Sequence, residues 1–130
     1  MINYEIFLLL TMLFMHIVDD YYLQGILASM KRKDWWLESP SYNHLYKDDY
    51  KIALIEHAYS WTFIVNIPVI IFLLVFKEIG IWYYVLFILN IVVHALTDEL
   101  KANKKAINLV TDQLIHIFQI VATWLIVILV

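Results

Sequence analysis

Residues 58–76 carry no charged side chain, and as a helix they span about 28 Å, close to the roughly 30 Å hydrocarbon core of a bilayer. Inside such a core no water serves the backbone N–H and C=O groups, so a crossing segment must bond to itself as a helix. Three further stretches share this character, and the expected helices run over about 4–24, 52–76, 81–101 and 111–130. The chain is 63% hydrophobic, against roughly 45–50% for soluble domains. The expectation is an all-α integral membrane four-helix bundle, a single transmembrane domain over 1–130.

No Lys or Arg precedes the apolar run 6–18, and no small-residue cleavage site follows it. That run is expected to stay as a spanning helix rather than serve as a signal peptide. Gly25 then decides between two readings of residues 26–37. Either the first helix continues to about Met30, or Lys31-Arg32-Lys33 beside Trp35-Trp36 mark an interfacial helix after helix 1. Residues 38–51, with Pro40 and mixed charges, read as a loop outside the hydrocarbon, with His44 solvated in it. Asn66 and Pro68 predict a kink in the second long helix. Trp82-Tyr83-Tyr84 form an aromatic belt at the entry of the third, and Asn108 or Thr111 caps the fourth.

The basic residues set an orientation. Lys31, Arg32, Lys33, Lys47 and Lys51 lie between the first two helices, Lys101, Lys104 and Lys105 between the last two, and only Lys77 at the opposite end. The positive-inside rule places both basic loops in the cytoplasm and both termini outside, in a bacterial inner membrane.

Ionisable residues inside apolar helices are costly and commonly functional. His94-x3-Asp98 and Asp112-x3-His116 have the same one-turn spacing in mirrored order. On antiparallel neighbours the mirror sets His94 level with His116 and Asp98 level with Asp112. His16-x3-Asp20 repeats the pattern on the first helix, and His57 begins the second. The topology collects all of these in one layer near the cytoplasmic face. Cysteine is absent, so a metal there has only nitrogen and oxygen ligands, which suits zinc, iron or manganese.

Each residue also has a plain reading. Asp112 can serve as a first-turn acid on the helix dipole, Asp98 can pair with Lys101, and His16 with Asp20. His57 and His94 can be interhelical hydrogen-bonding histidines. Asp19 and Glu56 can face headgroups. Taken together these readings leave a cluster of buried carboxylates that needs cations or protons to compensate it.

In this order, His16-x3-Asp20-Tyr21-x2-Gln24, His57-Ala58, His94-x3-Asp98-x2-Lys101 and Asp112-Gln113-x2-His116 resemble the family of small bacterial and phage membrane proteins catalogued as domain of unknown function 3307. The resemblance covers nearly the whole chain. Asp19 is an extra acid relative to that pattern, and residues 35–49 look particular to this sequence. The family is more loosely similar to membrane proteins described as metal-dependent hydrolases, which implies that activity here.

The residues and the resemblance together predict one or two divalent ions, zinc first, held by His16, Asp20, His57, His94, Asp98, Asp112 and His116. The expected function is hydrolysis of a lipid-soluble substrate at the cytoplasmic leaflet, with Asp20, Asp98 or Glu56 as the catalytic carboxylate. A proton or cation channel or transporter using the same layer is the alternative, and a metal-stapled structural or regulatory protein a third. Membrane lipids are the expected partners, a homodimer is left open, and no nucleic-acid motif is present. Reporter fusions at Lys47 and Lys104 test the orientation: both should be active only with a cytoplasmic reporter, and a periplasmic-type signal at either reverses it.

Overall fold

The computed structural model describes residues 3–38 and 45–130, so His44 and its solvated-loop reading lie outside the described residues. The described residues are helical and contain no strand. Helix α1 (Tyr4–Val18) passes into a π-helical turn, Asp19–Leu23. Two short helices follow, α2 (Leu27–Met30) and α3 (Lys33–Leu37). Then come α4 (Tyr50–Phe76), α5 (Ile81–Asp98) with a second π-helical turn at Glu99–Asn103, and α6 (Leu109–Leu129). The four segments Tyr4–Leu23, Tyr50–Phe76, Ile81–Asn103 and Leu109–Leu129 are each long and apolar enough to cross a membrane.

These four pack as a closed bundle. Helix α1 lies against α4 and α6, α5 lies against α4 and α6 from the other side, and α2 rests on α4. The bundle is apolar outside and polar within at one end. Phe7, Leu10, Phe14 and Ile17 of α1 face outward, while His16 and Asp19 are buried. That distribution suits lipid, where the cost falls on unsatisfied polar groups rather than on exposed carbon. The other half of the interior is mostly apolar, closed by Leu8, Met12, Val65, Val69, Leu73, Ile120 and Val127 around the buried Asn66–Tyr83 hydrogen bond.

Local sequence explains the ends. Asn3 caps α1, its side-chain oxygen accepting from the Glu5 and Ile6 amides. Of the two predicted caps for α6 it is Asn108 that acts, accepting from Thr111 N at 2.9 Å. Lys77 Nζ donates to the Val127 carbonyl at 3.0 Å, satisfying the C-terminal end of α6. Helix α4 runs unbroken through Pro68. The Asn66 amide donates to the Thr62 carbonyl at 2.8 Å, and the Tyr83 hydroxyl donates to Asn66 Oδ1 at 3.0 Å.

Gly25 settles the question of the first helix. It takes φ +50, a left-handed conformation that ends the π turn, so the first helix does not continue to Met30. The chain continues as the short helices α2, which packs on α4, and α3. Asn103 fastens this segment: its Oδ1 accepts from Lys33 N at 2.8 Å and its amide donates to the Lys31 carbonyl at 3.1 Å. Basic residues of the two loops therefore sit at one end of the bundle, with Lys77 at the other.

Replacing Gly25 by alanine keeps the fold but forces a β-carbon into the left-handed region, at about 1 kcal/mol. The variant's melting temperature in detergent should fall by a few degrees, and Gly25→Asn should lose less. Equal stability of wild type and Gly25→Ala contradicts this account.

Candidate metal centre

The layer near the basic end is built around Trp61, which is one turn from His57 on the same face of α4 and is 1% exposed. Its ring stacks on His94 with centroids 4.2 Å apart, and His94 stacks on His116 at the same 4.2 Å. His94 and His116 thus lie level, as the mirrored spacing requires of antiparallel helices. Trp61 forms the floor that separates the ionisable layer from the apolar half of the core.

The indole N–H can only donate, and it donates to His16 Nδ1 at 2.9 Å. The His16 proton must then sit on Nε2, which donates to Gln113 Oε1 at 3.0 Å. That in turn fixes the Gln113 amide, which donates to Asp20 Oδ2 and Asp112 Oδ2, each at 3.1 Å. One chain of donors runs from Trp61 to two carboxylates. Both nitrogens of His16 are used in it, so the structure places His16 beside the centre as a support and not among the convergent ligand atoms. Asp20 is likewise joined to the centre through Gln113.

His116 is oriented by a similar logic. The Gln119 amide donates to the Asn90 carbonyl oxygen at 3.0 Å and to Asn90 Oδ1 at 3.2 Å. Its oxygen is therefore left to accept from His116 Nδ1, 3.2 Å away. The Nε2 of His116 then faces Asp112 Oδ1 at 3.4 Å and Asp98 Oδ1 at 4.0 Å. Asp112 Oδ1 is buried and has no hydrogen-bond partner.

On the other side of Asp98 three atoms crowd together. His57 Nε2 is 3.1 Å and His94 Nε2 3.5 Å from Asp98 Oδ2, and the two nitrogens are 3.3 Å apart. All three residues are buried. Two groups can therefore each surround a cation, His57–His94–Asp98 and Asp98–Asp112–His116, each with its ligand atoms within 4.8 Å of one another. Asp98 belongs to both, presenting one oxygen to each.

Two lysines complete the electrostatics. Lys31 Nζ lies 2.8 Å from Asp98 Oδ2, and Lys101 Nζ lies 2.6 Å from Asp112 Oδ2. The expected Asp98–Lys101 pair is thus replaced by a crossed pairing, because the π turn carries Lys101 round toward α6. The sequence reading paired Lys101 with Asp98 and used Lys31 only as a loop charge; neither lysine has an i, i+4 signal that would have tied it to its observed partner. Trp61 and Gln119 were also missed, and Gln113 entered only as part of a motif, although each lies three or four residues from a histidine on its own helix.

Two acids depart from expectation. Asp19 does not face headgroups: it is fully buried, its Oδ1 accepts from Ser60 Oγ at 3.3 Å, and its Oδ2 has no partner. Successive helical residues point about 100° apart, so Asp19 turns to α4 while Asp20 turns to α6. Glu56 is exposed on the outer face of α4 and makes no contact with the centre. Its expected role as a catalytic base therefore has no geometric support.

The centre opens toward the basic end through a cavity of about 350 Å³ whose wall includes Asp98, Lys31 and Lys101. No protein-family model, curated protein or solved structure matches the chain.

The donor chain makes a stability test. Trp61→Phe removes the N–H and the five-membered ring of the indole, and should cost about 2 kcal/mol, one net hydrogen bond plus the small cavity left behind. Gln113→Glu replaces the amide donor by a charge facing Asp20 and Asp112, and should cost about 3 kcal/mol. Melting temperatures in detergent should fall in that order, and a Gln113→Glu variant as stable as wild type rules out the amide's assigned direction.

Proposed function

We propose that this bundle is a membrane-embedded metal protein, with a divalent ion at His57, His94 and Asp98 and room for a second between Asp98, Asp112 and His116. One observation carries the reading: two imidazole nitrogens and a carboxylate oxygen lie 3.1, 3.3 and 3.5 Å apart with no lysine between the nitrogens. One proton bridges only one of these pairs, whereas one cation answers all three. Zinc–nitrogen and zinc–oxygen bonds of about 2.0–2.2 Å set the edge of a tetrahedral site at about 3.3–3.6 Å. The triad has the dimensions of one face of such a tetrahedron. The Asp98–Asp112–His116 group is wider, with an edge of 4.0 Å, so the first ion belongs to the triad.

The nitrogen and oxygen donors and the lack of cysteine favour zinc over softer ions. A bound divalent ion supplies Lewis acidity toward a carbonyl or phosphoryl oxygen and brings the pKa of water toward about 7. The chain's own residues supply the rest. Asp112 Oδ1, free of hydrogen bonds, is the carboxylate oxygen placed to take a proton. Lys101 holds the other oxygen of that carboxylate in position, and Trp61 closes the site on the apolar side. These features support hydrolysis of a substrate entering from the basic end, at the cytoplasmic leaflet of a bacterial inner membrane. The resemblance to the domain of unknown function 3307 family points the same way.

A proton or cation relay is the second reading. It draws on the buried string from His116 through Gln119 to Asn90 and on to Thr123, whose hydroxyl accepts from Asn90 at 2.8 Å. Among the described residues no hydrogen bond carries that string further, and Val127 and Leu73 fill the core beyond it. A closed pocket fits this interior better than a path across it.

Metal analysis of the purified chain tests the proposal. Wild type should retain one or two divalent ions after dialysis, while His57→Ala, His94→Ala and Asp98→Asn should fall below a tenth of that. His16→Ala should keep its metal, since its nitrogens are engaged elsewhere. Folded wild-type protein that takes up no metal ends this reading and leaves the relay, measurable as proton flux in proteoliposomes.

A further inference from the structure

The cavity over the metal-binding triad has a wall of unusual charge. Lys31, Arg32 and Lys101 line it together with Gln24, and Asp98 is the one carboxylate in that wall among the described residues. Ala28 and Ala102 leave the space between them open. Its volume, about 350 Å³, lies at the lower end of small-ligand pockets, roughly 300–1,000 Å³.

We propose that this cavity binds a phosphate group and presents it beside Asp98, which makes phosphate esters the substrate class of the metal centre. The assignment of a substrate rests on the metal reading; the binding of phosphate does not.

Three cationic residues line one open space. Lys31 and Lys101 already lean on Asp98 and Asp112, at 2.8 and 2.6 Å. An ammonium group carries three N–H donors, so each lysine keeps donors beyond that pairing for an anion in the cavity. Arg32 is freer still, its contact to Asp34 being an exposed pair at 3.5 Å, of the kind that contributes little. A phosphate offers several oxygens in different directions. Two meet the planar fork of an arginine, and the others meet the lysines. A carboxylate has two oxygens in one plane and serves fewer of these donors. A cation is repelled.

The phosphate has two possible sources. The first is a phospholipid headgroup: Tyr21, Tyr22, Leu23 and Ile26 are exposed beside the cavity, and Trp35 and Trp36 follow the basic cluster, the composition of a membrane interface. The second is a free phosphate or phosphate ester entering from water.

The experiment uses the full chain, with and without zinc loading. In one arm, inorganic phosphate is titrated calorimetrically into detergent-purified protein. In the other, melting is compared in phosphatidylcholine nanodiscs with and without phosphatidic acid. Saturable one-to-one binding of phosphate supports the proposal and assigns the free anion; stabilisation by phosphatidic acid alone supports it and assigns the headgroup. Arg32→Gln and Ala102→Leu, which remove a charge and fill the space, should each weaken the response about tenfold, the worth of one charge-assisted hydrogen bond. Both should keep wild-type metal content, because neither residue belongs to the triad. Should Ala102→Leu fail to fold, the exposed Arg32→Gln decides. No saturable response in either arm, or wild-type response in Arg32→Gln, overturns the proposal. Metal-loaded protein without phosphate binding sinks this inference alone, and phosphate binding by protein that takes up no metal keeps the site while removing its chemistry.

Discussion

Asp98 is 2% exposed and lies among helices made of carbon, so cations from the protein itself must answer its charge. An isolated buried carboxylate costs several kcal/mol or more, and that cost is recovered only where the geometry of the partners is good. Lys31 comes from the segment after Gly25, His57 from α4, and His94 from one turn earlier on α5. Each arrangement at this end follows from that need. The left-handed glycine ends the first helix, Asn103 holds the backbone of Lys31 and Lys33, and the π turn of α5 sends Lys101 to Asp112. None of these devices makes sense as packing alone.

The proton inventory is as tight as the charge inventory. An indole can only donate, and from that single fact the tautomer of His16, the direction of the Gln113 amide and the acceptor role of two carboxylates all follow. Asn90 does the same for Gln119 and His116. The supporting groups consume their donors among themselves. Within the layer, Asp112 Oδ1 and the Nδ1 atoms of His57 and His94 are left without a partner. Supporting hydrogen bonds of this kind orient ligands in metal sites generally.

Much of this was legible in the sequence, for physical reasons. Helices in lipid announce themselves by length and apolarity, and the one-turn spacing of His94 with Asp98 and of Asp112 with His116 fixes which side chains share a face. Gly25 marked the break but not its direction. What could not be read was any pairing across long separations. Lys31 and Asp98 are distant in sequence and have no periodic relation, and the crossed choice of Lys101 for Asp112 depends on a π turn that no local pattern signals. Asp19 was misplaced because adjacent acids look redundant on paper, whereas on α1 they serve two different neighbours. Glu56 was misplaced because proximity to His57 in the chain is not proximity on a helix face.

The depth of the centre bears on how such a chain is made. Its ionisable residues sit within the last turns of α1 and α5 and the first turns of α4 and α6, not at mid-span. A charged group at the centre of an inserting helix costs about 2.5–3.5 kcal/mol, and much less near its end. Each helix can therefore enter the bilayer by itself, with its acid or imidazole still within reach of interfacial water. The triad of His57, His94 and Asp98 needs only α4 and α5, whereas the second group closes when α6 brings Asp112 and His116. The second group is thus the last part of the layer to form, at the end where the cavity of the finished bundle opens.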